Sequence, residues 1–201
     1  MLLSVTIIKK NGVDICEGQV LARCCIENVC ADVPIDADIK PGIYDLETAP
    51  KDSPLRTCLE ILQRASEKGF KRLEVCGSKK SEKCPKKLAE YVLSKYGGPV
   101  LLVGFNNRVA SALFSLTDGV VASAEGTPYP YEFIDVSNTH NWVEKAKVIV
   151  VAPGTVRLAE VAELIKKARE MGKPVVMYGA LSTIYKDLGI EYFCPYGLKR
   201  Y

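Results

Sequence analysis

The chain has 201 residues, 48% of them hydrophobic and 25% charged, enough to bury one substantial core or two small ones. Its 27 Lys and Arg against 24 Asp and Glu leave a net charge of +3 that is spread along the sequence, which argues against nucleic acid as a partner. No apolar run approaches the ~20 residues of a membrane span, and the first residues lack the apolar core of a signal peptide, so the expectation is a cytoplasmic protein with no membrane contact.

Residues 2–8 alternate apolar and polar, Asn11-Gly12 supplies a turn signal, and residues 15–30 read as two further strands broken near Glu27-Asn28. An antiparallel meander is expected. Pro34, Pro41, Gly42, Pro50 and Pro54 punctuate the stretch 34–54, which reads as an irregular surface connection. From Pro54 the spacing of Leu55, Cys58, Leu59, Leu62 and Ala65 predicts a helix to about Lys68, with Gly69 as its stop. Leu73, Val75 and Cys76 suggest a short strand. Pro85 then opens a helix that buries Leu88, Tyr91 and Val92 and ends at Gly97-Gly98. Residues 1–97 are thus expected to form a small α+β part.

Beyond residue 98 the pattern becomes regular. Continuous apolar runs at 100–103, 120–124, 148–151 and 175–178 alternate with helix-length amphipathic segments at 107–116, 140–146, 158–171 and 182–188. Continuous runs fit strands buried on both faces, and their alternation with helices fits parallel crossovers. Residues 98–201 are therefore expected to form a Rossmann-like parallel-sheet domain with its ligand site at the carboxyl ends of the strands.

The first of these strands ends in Gly104-Phe105-Asn106-Asn107 and runs into a helix, where backbone N–H groups and the positive helix end favour an anion. The G-x-G-x-x-G fingerprint of a dinucleotide site is absent. Asn106 as a helix cap with Phe105 as a packing residue explains the segment equally well. Glu125 follows the second strand, 21 residues after Gly104, near where a Rossmann acid meets a ribose hydroxyl; an exposed loop carboxylate is the plainer reading. Gly154 and Thr155 follow the third strand, and Gly179 and Ser182 the fourth. Each turn alone could be an ordinary capped βα connection, but three on one rim point together to a ligand site.

Of the eight cysteines, Cys16, Cys24, Cys25 and Cys30 crowd the meander. C-x-x-C pairs are missing, and adjacent Cys24 and Cys25 on a strand face opposite ways, which argues against structural zinc. Most of the cysteines are expected to be reduced and buried, although disulfides occur inside cells of hyperthermophiles, and the content of Lys, Glu, Val and Ile hints at a thermophile. Cys84, at a helix start among lysines, could have a lowered thiol pKa or simply mark a solvated surface. His140, the only histidine, cannot make a His-rich metal site, and no G-x-S-x-G, Walker A or H-E-x-x-H sequence accompanies it.

In order, Val103-Gly104-Phe105, Glu125 before Pro128, Val151-Ala152-Pro153-Gly154-Thr155 and Tyr178-Gly179-Ala180-Leu181-Ser182 resemble a heavy-metal chelation family of unknown function. That family joins an enolase N-terminal-like domain to a Rossmann-like domain and has a suggested link to heavy metals or anaerobic cobalamin metabolism. The resemblance implies a cleft site contacting Gly104, Phe105, Glu125, Gly154, Thr155, Gly179 and Ser182, with a divalent heavy metal as the implied cofactor. Where the family carries a Thr/Asn-rich run after the third strand, this chain has Val156-Arg157-Leu158-Ala159.

Three functions follow as expectations. The first is a binding protein or enzyme for a small anionic or metal-associated ligand. The others are a nucleotide- or S-adenosylmethionine-dependent transferase, and a homodimeric interaction module using residues 34–54 and the tyrosine-rich tail.

Overall fold

The computed structural model describes residues 1–8, 15–16, 18–36, 39–48, 54–76, 82–123, 130–155 and 159–196. In the N-terminal part, β1 (Leu2–Ile8), β2 (Gln19–Ile26) and β3 (Val29–Asp36) form the expected antiparallel meander. β4 (Gly42–Asp45) pairs antiparallel with β1, and β5 (Arg72–Leu73) pairs parallel with β3, giving the order β4-β1-β2-β3-β5. Leu3 and Val5 of β1, Ala22 and Cys24 of β2 and Val33 of β3 are buried on one face, the face that packs with α1 (Pro54–Glu67). On α1, Leu55, Cys58, Ile61, Leu62 and Ala65 recur at the spacing that puts them on a single stripe.

Within the stretch 34–54, residues 34–36 and 42–45 are strand, more regular structure than the prolines suggest. Pro34 lies inside β3 because β5 covers only Cys30 and Ala31 of that strand. Beyond them the edge of β3 is open, and a residue without an N–H fits there.

The second sheet contains β6 (Val100–Val103), β7 (Gly119–Ser123), β8 (Phe133–Asp135), β9 (Val148–Val151), β10 (Val175–Tyr178) and β11 (Glu191–Phe193). Every pairing is parallel and the order is β11-β10-β9-β6-β7-β8, the 3-2-1-4-5-6 arrangement of a Rossmann-like sheet. Alternate residues of its strands point to opposite layers. Val100, Leu102, Val121, Val148 and Val150 pack with α2 (Cys84–Tyr96) and α3 (Asn107–Phe114). Leu101, Val103, Val120, Ile149 and Val151 face the side of α5 (Ala159–Glu170) and the short α4 (His140–Lys145), within a cluster that also holds the inner face of the first sheet. One apolar core therefore runs through both sheets. The sequence missed β8 and β11 because three-residue edge strands, partly exposed, carry no periodicity to read.

Candidate functional site

The strand order reverses between β6 and β9, and a Rossmann-like sheet opens its ligand crevice at that place, outside the carboxyl ends. Gly104 follows β6, and the 310 turn Pro153–Thr155 follows β9. The two turns touch. A Cβ on Gly104 would lie 2.5 Å from Thr155 Cγ2, 2.9 Å from Ala152 Cβ and 3.0 Å from Cys16 Sγ, and the backbone there has φ +86°. Only glycine allows the approach.

The N-terminal sheet roofs this point. A Cβ on Gly154 would lie 2.7 Å from Gln19 Oε1 and 3.1 Å from Pro34 Cγ. Gln19 closes its own turn, since Cys16 N–H donates to Gln19 Oε1 at 3.2 Å and Gln19 N–H to Cys16 O at 3.1 Å. Asn106 joins the two halves: its Oδ1 accepts from Arg108 N–H and Val109 N–H as the cap of α3, while its Nδ2 donates to the Ile15 carbonyl at 2.7 Å. Both ends of the amide are engaged.

The hydroxyls expected to face a ligand turn back on their own backbone. Thr155 Oγ1 donates to Ala152 O at 2.8 Å, and Ser182 Oγ to Gly179 O at 2.6 Å. Gly104 N–H donates to Ala122 O and Gly179 N–H to Phe193 O, extending the sheet by one bond at each end. Phe105 is buried, its ring centroid 5.8 Å from that of Tyr131. Asn107 is exposed and accepts from the Tyr131 hydroxyl through Oδ1. The structure thus gathers Gly104, Phe105, Asn106, Gly154 and Thr155 at the β6/β9 reversal, and places Gly179 and Ser182 at the neighbouring end of β10. Glu125 lies outside the described residues.

Three residues that the sequence did not assign to a site lie at this end of the two sheets. Cys16 and Gln19 form the roof, and nothing in their spacing announces it. Asp135 ends β8, in register with Ser123 at the end of β7, and accepts from Ser137 N–H at 2.8 Å and Ser137 Oγ at 2.5 Å. The Ser137 hydroxyl and amide hold its carboxyl below the ordinary range. Asp135-Val136-Ser137 is a readable Asx turn, so this carboxylate could have been found from the sequence.

His140 is exposed, with Nε2 3.5 Å from Glu144 Oε1 and Nδ1 against Lys167 Nζ. Among the described residues no three His, Cys, Asp or Glu side chains come together as a metal site. A recess of about 650 Å3 lies on the flank between α1 and α5. Arg64 there pairs with Glu60 at 3.2 Å and with Asp187 at 3.3 Å, clasping α1 to the turn after β10.

The cysteines depart from the expectation that most are reduced. Cys24 bonds Cys58 and Cys25 bonds Cys30, leaving Cys16, Cys76, Cys84 and Cys194 outside disulfides. The opposite orientation of Cys24 and Cys25 is what gives each its own partner.

Among the described residues no helix is long and apolar enough to cross a membrane. No family model and no curated protein matches the chain. Among solved structures it is similar to a protein of unknown function from the DUF364 family of Desulfitobacterium hafniense DCB-2, with a TM-score of 0.54 and 11% identity over 94% of this chain and 78% of that one. Likeness at that identity shows the fold, an α+β part joined to a Rossmann-like sheet, and carries nothing about heavy metals.

Proposed function

We propose that the protein holds a small anionic ligand at the carboxyl edge of its parallel sheet, beside the place where the N-terminal sheet meets the β6/β9 reversal. The carrying observation is the contact of Gly104, Gly154 and Thr155 at that reversal beneath Cys16, Gln19 and Pro34. Asn107, exposed on the first turn of α3, and Glu125 are the side chains through which a ligand would be read. A metal would arrive as a complex bringing its own donors, the form in which heavy-metal or cobalamin-related chemistry could use this edge. A nucleotide or S-adenosylmethionine fits less well, because bulky Phe105 stands where a phosphate-binding turn needs glycine.

Native mass spectrometry together with thermal unfolding tests the proposal, using inorganic phosphate, pyrophosphate and a chelated divalent metal as probes. A ligand at a hundred times its Kd should stabilise the fold by about 2.7 kcal/mol. Glu125→Gln and Asn107→Ala should fold normally and lose that stabilisation. No adduct and no shift with any probe would sink the idea.

A homodimeric module is favoured by one observation. Ile43 of edge strand β4 is 74% exposed and Leu2 of β1 is 64% exposed, and both lie on the outer face of the first sheet. Sedimentation of Ile43→Asp against the parent checks it, with a dimer in the parent alone as the supporting result.

A further inference from the structure

Cys24 and Cys25 are neighbours in sequence and enter two unlike disulfides. Cys24 is fully buried on the inner face of β2 and bonds Cys58 of α1, 34 residues away. Cys25 is half-buried on the outer face and bonds Cys30, only 5 residues away. The β2–β3 register already sets Cys25 opposite Cys30 and Ile26 opposite Val29, so the hairpin ladder holds the two cysteines side by side without the covalent bond. The bond closes a loop that is closed in any case, and by the chain-entropy argument it adds less to the fold than the bond across 34 residues.

The surroundings favour exchange at the outer pair. Arg72 stands opposite Cys30 in the parallel β3–β5 register, and Arg23 lies two residues before Cys25 on the same strand face. These guanidiniums also pair with Asp32 and Glu74, Arg23 Nε lying 2.8 Å from Asp32 Oδ1 and Arg72 Nε 2.5 Å from Glu74 Oε1. Arg72 is thus the cation in register with Cys30, and a thiolate released there is favoured by it to the extent that Glu74 does not already offset its charge.

From these differences we infer that Cys25–Cys30 is a reversibly reducible couple that exchanges with an external dithiol while the fold stays intact, and that Cys24–Cys58 is the structural bond. A thiolate of the dithiol attacks Cys25 Sγ. The Cys25–Cys30 bond breaks, a mixed disulfide forms, and Cys30 leaves as a thiolate that takes up a proton. The second thiol of the reagent, once deprotonated, attacks the mixed disulfide and releases Cys25, which is protonated in turn. Two electrons and two protons pass to the protein, and the reagent leaves as a disulfide.

Stepwise reduction of the folded protein with dithiothreitol tests this. Cysteines reactive in the untreated protein are first blocked with a light alkylating reagent, and newly reduced ones are then marked with a heavy one and located by peptide mass mapping. The expected result is heavy label on Cys25 and Cys30 together, at a reductant concentration at least tenfold below that needed for Cys24 and Cys58, with an unchanged circular dichroism spectrum. Simultaneous labelling of all four, or loss of the spectrum with the first label, overturns the inference. In Arg72→Gln the first exchange should be several-fold slower at neutral pH; an equal rate overturns the assignment of Cys30 as the leaving sulfur.

Discussion

Gly104 sits in a left-handed backbone conformation with three side chains within 3.0 Å of where its Cβ would be. Gly104→Ala combines backbone strain with overpacking, and we expect it to lower the unfolding free energy by about 3 kcal/mol in urea titration. A loss below about 1 kcal/mol would mean that the two turns part easily. Glu191 behaves differently. Its Oε2 accepts from Lys95 Nζ and Tyr96 Oη, each at 2.7 Å, while Oε1 is buried with no hydrogen-bond partner among the described residues. Burial raises its carboxyl above the ordinary value of 4.5. The folded state therefore holds this proton more tightly than the unfolded chain does, and the associated stability is present below pH 4.5 and lost as pH rises through the folded value. Glu191→Gln cannot titrate, so its stability relative to the parent should rise with pH across that window. Urea midpoints at several pH values check the sign; a constant difference would show that the carboxyl is not perturbed.

At the scale of elements, the sequence read the long periodic segments well. α1, with Leu55, Cys58, Leu62 and Ala65 at helical spacing, emerges where its stripe predicts. The buried strands β6, β9 and β10 do so as well, because four consecutive apolar residues suit a strand covered on both faces. Two misreadings have physical causes. The prolines make the stretch from Pro34 read as irregular, although a strand edge with no neighbour tolerates Pro34. The sequence reads most of the cysteines as buried and reduced, because which sulfurs meet depends on β2 lying under α1. That contact gives a prediction: since Cys24–Cys58 ties α1 to β2 across 34 residues, replacing both by Ala should cost about 3 to 4 kcal/mol in the denaturant midpoint under oxidising conditions. A negligible change would show that packing alone holds α1 in place.

For the whole molecule, the decisive fact is that one apolar cluster includes the inner face of the first sheet, α1 and one face of the parallel sheet. The two parts should then unfold together. Far-UV dichroism and the fluorescence of Trp142, which packs against that cluster, are expected to report one coincident transition, whereas two separated midpoints would show that the parts are energetically independent. The candidate site belongs to this scale too. The strand-end residues Gly104, Gly154, Thr155, Gly179 and Ser182 were legible because each βα turn announces itself with glycine or a small polar residue. The roof of Cys16, Gln19 and Pro34 was not, since its residues come from another sheet and are brought there by packing.

The sequence by itself determined the class of fold: period-two alternation in the meander, a 3.6-residue stripe on the helices and short apolar runs for a buried parallel sheet are local signals that burial enforces. Only the tertiary structure decided the strand order, the pairing of the four bonded cysteines, and the closure of the first sheet over the carboxyl edge of the second. These are contacts between segments far apart in the chain, chosen by how faces fit once the elements exist, and no local pattern encodes them.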